Sequence, residues 1–462
     1  MDTATIAAIA TPPGEGGIGI VRISGADAAG IAGQIFRRSG RSRAVDLRTV
    51  DSHRLLYGTI IDLSSGNPVD EVLLAWMAGP HTYTREDTVE LSCHGGPVPL
   101  RETLRLALAA GARHAEPGEF TLRAFLNGRL DLTQAEAVLN VIGARTAESL
   151  RLAVSDLGGD LTRRLEPANT ALISLLAYLD ASADFPDDEI ETADIAIGLQ
   201  AAEEALDAVV AGSKAGMLYR DGARIALVGR PNVGKSSLLN ALLRADRAIV
   251  TPVAGTTRDV IMETINLRGI PATLLDTAGI VETEDLVERI GVERSRTALR
   301  TASAVVLVLD GSLPPQPGDI EIAEALAARP MDEQTPVALA INKSDLADHA
   351  DQSHVTSLLT GARSVRVSAT TGDGLENLEG ALVETLGGAA AQPALITGRQ
   401  RAAVDRALSH IHDAQEAHAA GIPQDLLATS VRAALHAVGE VTGEHVDQAV
   451  LNEIFSRFCI GK

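Results

Sequence analysis

Nine residues, GRPNVGKSS from Gly229 to Ser237, carry the chemistry that is easiest to name in this chain. They follow a strand-like run, RIALV, and open a helical one, SSLLNALL. A glycine-rich turn at that junction presents backbone N–H groups at the positive end of a helix, which suits a phosphate. In the G-x4-G-K-[ST] spacing, Lys235 would meet the β- and γ-phosphates and Ser236 would ligate Mg2+. Asn232, Val233, Gly234 and Ser237 belong to the same wrap. A plain glycine turn before a helix is the alternative, and it has no need of the lysine.

Further segments arrive in the order a GTP hydrolase requires. DTAG (Asp276, Thr277, Ala278, Gly279) ends a strand-like run. There Asp276 can hold Mg2+ through water, and Gly279 can offer its N–H to a γ-phosphate. NKSD (Asn342, Lys343, Ser344, Asp345) follows another such run. Asp345 can accept two N–H donors from guanine, and adenine offers no matching pair. SAT (Ser368, Ala369, Thr370) ends the last run, where backbone N–H groups can reach the guanine oxygen. AGTTRD (254–259) fits a first switch loop, with Thr251, Pro252 and Val253 just ahead of Ala254, Gly255 and Thr256. Thr257 is its candidate second protein ligand to Mg2+. Each short motif is weak alone; in order and in register they are strong.

One residue type is missing. A glutamine after D-x-x-G orients the attacking water in many small GTPases. Ile280 stands there, and an aliphatic side chain cannot hold a water. VETEDLVERIG supplies Glu282, Glu284, Asp285 and Glu288, which could equally be a solvated acidic loop. Pattern alone does not choose among them.

These residues need a scaffold, and the chain's periodicities describe one. Residues 1–125 alternate β-like runs such as GIGIVRIS and HRLLYGTIID with turns, around the helical LRETLRLALAAGA, an α+β pattern. Residues 126–219 are helical, with Leu and Ala at three- and four-residue spacing. Thr133 and Glu136 are spaced as a capping box there. Residues 220–386 alternate strands and helices, which predicts a doubly wound, mainly parallel sheet. GGAAAQP (387–393) reads as a linker, and helical sequence resumes through 387–462. The economical arrangement is a multidomain α+β and α/β chain in which an α/β unit is inserted into a split helical domain.

Composition bounds the rest. A chain of 462 residues exceeds one core, and its 2% aromatic content leaves packing to Leu, Ile, Val and Ala. The net charge of -21 excludes a surface that binds phosphate everywhere, so a nucleic-acid substrate needs a local patch or a basic partner. No apolar run suits a membrane span, and MDTATIAAIATPPGEGG does not resemble a signal peptide. Two cysteines form no disulfide framework; a cytoplasmic protein without a membrane role is expected.

Cys459, in the terminal FCIGK, stands where a prenylated cysteine would. The preceding residues are not polybasic and the ending is wrong, so a functional tail is expected instead of an anchor. A reactive thiol and a small packing side chain both fit Cys459. GEGGIG (14–19) matches G-x-G-x-x-G literally, but a β-like run follows where a dinucleotide site needs a helix. Cys93 and His94 are adjacent, so on a strand they face opposite ways and make a poor dyad. His410, His412 and His418 lie on a helical run and are expected to face solvent.

Taken together, TPPGEGGIGIVRISG, PGEFTLRAFLNGRLDLTQAEAV, DFPDDEI, GRPNVGKSSLLNAL, AGTTRD, DTAG, VERIGVER, NKSD and FCIGK resemble the MnmE/TrmE family of tRNA modification GTPases over essentially the whole chain. The resemblance implies a homodimer with a folate-binding N-terminal domain (1–125), a split helical domain and an inserted GTPase domain. It implies a heterotetramer with a flavin-dependent subunit, acting on the wobble uridine of certain tRNAs. It implies Mg2+, K+ and 5-formyl- or 5,10-methylene-tetrahydrofolate. By resemblance Asn232 and Thr256 offer side chains to K+, Thr251 and Val253 offer backbone oxygens, and Glu288 positions the water. K+ bridges two GTPase domains and can take the place of an arginine finger. The folate contacts fall on Arg22, Glu90, Arg129 and Lys462. Arg129 stands where a lysine is familiar and keeps the charge without the geometry. Val281 departs from a basic residue found in some relatives. Without the resemblance, Arg22 and Glu90 read as an ordinary surface or interstrand ion pair. The functional alternative is a ribosome- or RNA-assembly switch GTPase, which has no use for the N-terminal 125 residues or FCIGK.

Overall fold

The computed structural model describes residues 4–184, 194–245, 263–276, 300–329, 335–346, 351–388 and 392–462. The chain divides into two compact units, Met1–Leu139 with Gly439–Lys462, and Asn140–Val438.

The first unit is built on a seven-stranded sheet in the order β3-β4-β5-β6-β2-β1-β7. Its strands are β1 (Ile6–Ile9), β2 (Gly16–Ser24), β3 (Phe36–Arg38), β4 (Arg54–Ile61), β5 (Pro68–Met77), β6 (Thr88–Gly95) and β7 (Arg113–His114). All neighbours pair antiparallel except β1 and β7. Alternation along the strands sends Val21, Ile23, Leu74 and Leu91 to one face, where they join Ile31, Ile35 and Leu104 from the helices Ala28–Ile35 and Pro97–Ala109 in one core. Each such side chain, fully buried, contributes roughly 1.5–3 kcal/mol. The opposite face leaves Ile18, Leu55, Tyr57 and Leu73 exposed. Glycine-rich 14–19 runs into β2 and no helix follows it, so the dinucleotide fingerprint is absent in fact as well as in expectation.

The C-terminal helix Gln448–Ser456 packs Leu451, Ile454 and Phe455 on Leu132 and Ala135 of the helix Leu132–Gly143. That helix corrects one expectation. The box is Asp131 with Gln134, not Thr133 with Glu136. Asp131 Oδ1 accepts from the Gln134 N–H (2.8 Å), and Gln134 Oε1 accepts from the Asp131 N–H (2.9 Å). Thr133 already lies in the first turn and donates its hydroxyl to Asp131 (2.6 Å), so it cannot cap.

In the second unit, the helices Asp160–Asp184 and Ile195–Asp221 pack together, and Gly398–Ala419 packs on the latter. Between them is inserted a six-stranded sheet, order β13-β12-β11-β8-β10-β9. It comprises β8 (Ala223–Val228), β9 (Glu263–Leu267), β10 (Ile270–Asp276), β11 (Ala304–Asp310), β12 (Val337–Asn342) and β13 (Arg363–Arg366). Only the β9–β10 pair is antiparallel. Every residue of β11 is buried, as a strand covered on both faces demands. Ile225, Leu227 and Val306 meet the helices Lys235–Ala245 and Leu375–Thr385 on one face. Ala226, Val228, Leu307 and Leu339 meet Pro317–Ala327 and Ser353–Leu358 on the other.

The chain enters and leaves this sheet side by side. The Ala394 N–H donates to Gly212 O (3.1 Å), and Arg220 Nη1 donates to Ile396 O (2.5 Å). Among the described residues no helix is long and apolar enough to cross a membrane.

Candidate functional site

β8 ends at Val228 and a helix starts at Lys235, so GRPNVG spans the turn between strand and helix. Asn232 (φ 67°) and Gly234 (φ 96°) take left-handed backbone, which curls the loop around a hollow. At Gly234 the requirement is double, because a Cβ would also collide with Asn342 Nδ2. Lys235 is buried and folds over the loop, donating to Gly229 O (2.6 Å) and Arg230 O (2.8 Å). Arg230 fastens the loop from outside through Asp319 Oδ1 (2.8 Å), the first-turn acid of the helix Pro317–Ala327.

Asn342 ends β12 and is buried. Its Nδ2 donates to Val233 O (2.9 Å), and its Oδ1 accepts from the Ala369 N–H (3.0 Å). One amide thus joins the phosphate loop to the SAT segment. Asp345 is exposed and accepts from the Ser368 hydroxyl (2.6 Å). Ser368 is fully buried, and its Oγ also accepts from the N–H groups of Thr370 (3.3 Å) and Thr371 (3.1 Å). Ser344 is held by Val367 O (3.1 Å). The NKSD and SAT segments therefore form one rigid corner at the ends of β12 and β13, with a carboxylate facing outward.

The sequence reading missed Asp310. It ends β11 in register with Asn342 and takes an ion pair from Lys343 (Nζ–Oδ2 2.6 Å). Burial alone would raise its carboxyl, but hydrogen bonds from Lys343 and Ser312 outweigh that and hold it below its ordinary value. The pair keeps the Lys343 backbone (φ 66°) where Asp345 can project. A lone acid closing the apolar run AVVLVLD was the available signal.

The residues that fit a magnesium-bound nucleoside triphosphate are Lys235, Ser236 and the loop before them, which the left-handed turns at Asn232 and Gly234 curl at a helix N-terminus. Thr251, Pro252, Val253, Ala254, Gly255, Thr256, Thr257, Thr277, Ala278, Gly279, Ile280, Val281, Glu282, Glu284, Asp285 and Glu288 lie outside the described residues. Asp276 is described as the end of β10, paired with Leu227.

In the first unit the four expected folate contacts come together. Arg22 and Glu90 are register partners on β2 and β6, and Arg22 Nε meets Glu90 Oε1 at 2.8 Å. The interstrand pair and the ligand role are thus compatible. Arg22 Nη1 donates to Gly461 O (3.1 Å), and its guanidinium lies 5.5 Å from the Phe120 ring and 6.0 Å from that of Tyr83. Arg129 stacks over the other residue of that wall, Tyr83, at 4.8 Å. The Phe120 N–H donates to Lys462 O (3.2 Å). Two guanidiniums, a carboxylate and two aromatic rings suit a flat heterocycle carrying carboxylates. Tyr83 and Phe120 were not singled out from sequence; they carry no charge or spacing that marks them.

The tail reaches this wall because Phe458 is buried against Phe455, with ring centroids 5.3 Å apart. Gly461 (φ 94°) then lies on β1, where a Cβ would collide with Ile9 O. Cys459 is exposed in the turn between them, closed by the Lys462 N–H to Cys459 O (3.3 Å).

Cys93 and His94 face opposite ways, as expected. Cys93 is buried, and burial pushes its thiol up to about 11. His94 instead pairs on the open face with Asp70 (2.6 Å). His412 meets Glu203 (2.8 Å) at the surface. Among the described residues no group of His, Cys, Asp and Glu could hold a metal.

Residues 5–129 match the family model for the GTP-binding protein TrmE N-terminus, and residues 132–459 match that for the MnmE helical domain. A tRNA modification GTPase MnmE from Roseiflexus sp. is 51% identical over 99% of both chains. One from Chloroflexus aurantiacus is 49% identical over 99% of both. A partial likeness is to an Aquifex aeolicus Era variant bound to GDP.AlF4-, 28% identical, covering 41% of this chain and 66% of that one, with a TM-score of 0.29.

Proposed function

This chain belongs to the MnmE family of tRNA modification GTPases, and from that premise we propose that it is a potassium-activated GTPase modifying the wobble uridine of certain tRNAs. The observation that carries the hydrolase half is Asn342, which hydrogen-bonds the phosphate loop at Val233 and the base-reading corner at Ala369. In this reading Lys235 and Ser236 hold the phosphates and Mg2+, Asp345 reads guanine, and Asn232 with Thr251, Val253 and Thr256 holds K+. Thr257 is the second ligand to Mg2+, Asp276 acts through water, and Glu288 positions the attacking water. Bound Mg2+ and K+ would supply charge neutralisation as the γ-phosphoryl group leaves.

The modification half draws on a 5-formyl- or 5,10-methylene-tetrahydrofolate one-carbon donor. Arg22 and Arg129 would hold its carboxylates and Glu90 its N–H donors, between Tyr83 and Phe120, with Lys462 closing the site. This wall is the reason to prefer modification over a switch GTPase of RNA assembly. The domains we assign are 1–125, folate-binding and dimerising; 126–219 and 387–462, helical; and 220–386, hydrolytic. A cytoplasmic homodimer working with a flavin-dependent subunit completes the proposal. The exposed apolar residues Leu55, Tyr57 and Leu73 support self-association. The test is nucleoside analysis of tRNA from cells lacking the protein. Loss of the C5-substituted wobble uridine is expected; an unchanged profile with impaired ribosome assembly would favour the switch.

A further inference from the structure

A net charge of -21 repels a polyanion over most of the surface. One edge of the first unit is different. Residues 37–54 hold six arginines (Arg37, Arg38, Arg41, Arg43, Arg48 and Arg54) against Asp46 and Asp51. The fold gathers them into a projection. Arg37 pairs with Thr59 of β4 on one side and bridges Ala44 on the other, so RSGRSR (38–43) must turn at the sheet edge. The turn is closed by the Arg41 N–H to Arg38 O (2.9 Å) and fixed to the sheet by the Ser39 N–H to Tyr57 O (3.0 Å).

Not all six charges are available. Arg37 donates to Gln34 O (2.7 Å), Arg48 donates to Ala26 O (3.0 Å), and Arg54 lies 3.7 Å from Asp51. Asp46 is turned onto the Arg48 N–H (3.1 Å). Arg38, Arg41 and Arg43 are exposed, and their guanidiniums make no ion pair or hydrogen bond with another described residue. Three forked donors on one short turn match phosphate oxygens, which a guanidinium binds two at a time. Ser39 and Ser42 add hydroxyls of the kind that contact a nucleic-acid backbone. The turn has no apolar side chain to enter a lipid layer.

We propose that the turn Arg38–Arg43 is a docking surface for the phosphate backbone of RNA, an inference that rests on the tRNA reading above and gives it a place on the chain. The test is fluorescence anisotropy of the full chain with an unmodified tRNA transcript between 50 and 200 mM salt. The triple variant Arg38→Gln/Arg41→Gln/Arg43→Gln is compared with a charge-matched control, Arg101→Gln/Arg145→Gln/Lys214→Gln. The proposal expects the first to lose about tenfold in affinity and to flatten the log–log salt slope by about 2. The control should change less than about twofold, and GTP turnover should be equal in all three. Wild-type affinity and slope in the first triple variant would overturn the surface while leaving the tRNA reading intact. Equal loss in both variants would reduce the effect to net charge and overturn it too. Failure of the wild-type chain to bind the transcript, with GTP turnover normal, would count against the tRNA reading itself. Arginine-dependent pelleting with phosphatidylserine vesicles, with tRNA binding unchanged, would assign the turn to lipid and overturn the proposal.

Discussion

Arg22 Nη1 donates to the backbone oxygen of Gly461, a residue 439 positions away, at 3.1 Å. The second strand and the last residues but one therefore share a wall, and the tail's place depends on a glycine. Gly461→Ala puts a methyl into the Ile9 carbonyl at a left-handed position. The cost exceeds about 1 kcal/mol, enough to release the last turn. A chain lacking 458–462 should lose tRNA modification and Gly461→Ala should approach that loss, while GTP turnover stays near wild type in both. Cys459→Ser separates chemistry from packing: retained modification would leave the sulfur no chemical part.

Asn342→Ala removes the bond to Val233 and leaves the Ala369 N–H unmatched. Losing a buried partner costs about 1–3 kcal/mol, so GTP affinity should drop roughly 5- to 150-fold. Isothermal titration with a non-hydrolysable GTP analogue checks this. Wild-type affinity would detach Asn342 from the site.

Asp345→Asn replaces two acceptors with an amide that can donate. Preference should move from guanine to xanthine nucleotides by at least about tenfold, the worth of one displaced hydrogen bond to a charged group. Competition binding with GTP and XTP reads it directly, and an unmoved ratio removes Asp345 from base recognition.

Hydrolysis should be much faster in KCl than in equal NaCl with Mg2+ present. Glu288→Ala should abolish most turnover and spare GTP binding, because positioning water acts on kcat. Glu282→Ala and Glu284→Ala should do far less. Three equal effects would withdraw Glu288's special role.

Asp156 gives the helical layer a pH dependence. Its Oδ2 is buried with no hydrogen-bond partner among the described residues, and burial, helped by Asp160 and opposed by Arg164, pushes the carboxyl up to about 7 from an ordinary 3.8. The folded state then holds a proton that the unfolded state gives up. The stabilisation is complete below the unfolded value and is lost as pH rises through about 7. The difference is at most about 4 kcal/mol. Hydrogen exchange in Ala147–Leu157 should be slower at pH 5 than at pH 8 after correction for intrinsic rates. Asp156→Asn should flatten the difference; a flat wild-type profile would show that Asp156 ionises freely.

Much of this was legible because it is local. The phosphate loop needs only its glycines, lysine and flanking periodicities, and the doubly wound sheet needs only alternating apolar runs. Cys93 and His94 were separable by strand alternation alone. What escaped depends on contacts far apart in sequence. Asp310 matters through Lys343 and a strand register. Tyr83 and Phe120 matter through the guanidiniums of Arg129 and Arg22. The cap at Asp131 was missed by two residues because Thr133 and Glu136 have the same spacing, and only the helix start decides between them.

The adjacent entry and exit of the inserted sheet bear on the order in which the chain folds. Glu203 meets His412 and Gln415 across 209 and 212 residues. At about 5–20 residues per second of synthesis, the helix Ile195–Asp221 emerges roughly 10–40 s before its partner Gly398–Ala419. An open chain would have to close that whole loop at once. A sheet that folds first brings Gly212 and Ala394 together by its own geometry, leaving only a short loop to close. In that order of folding, the nucleotide-binding unit would be the splint on which the helical layer sets.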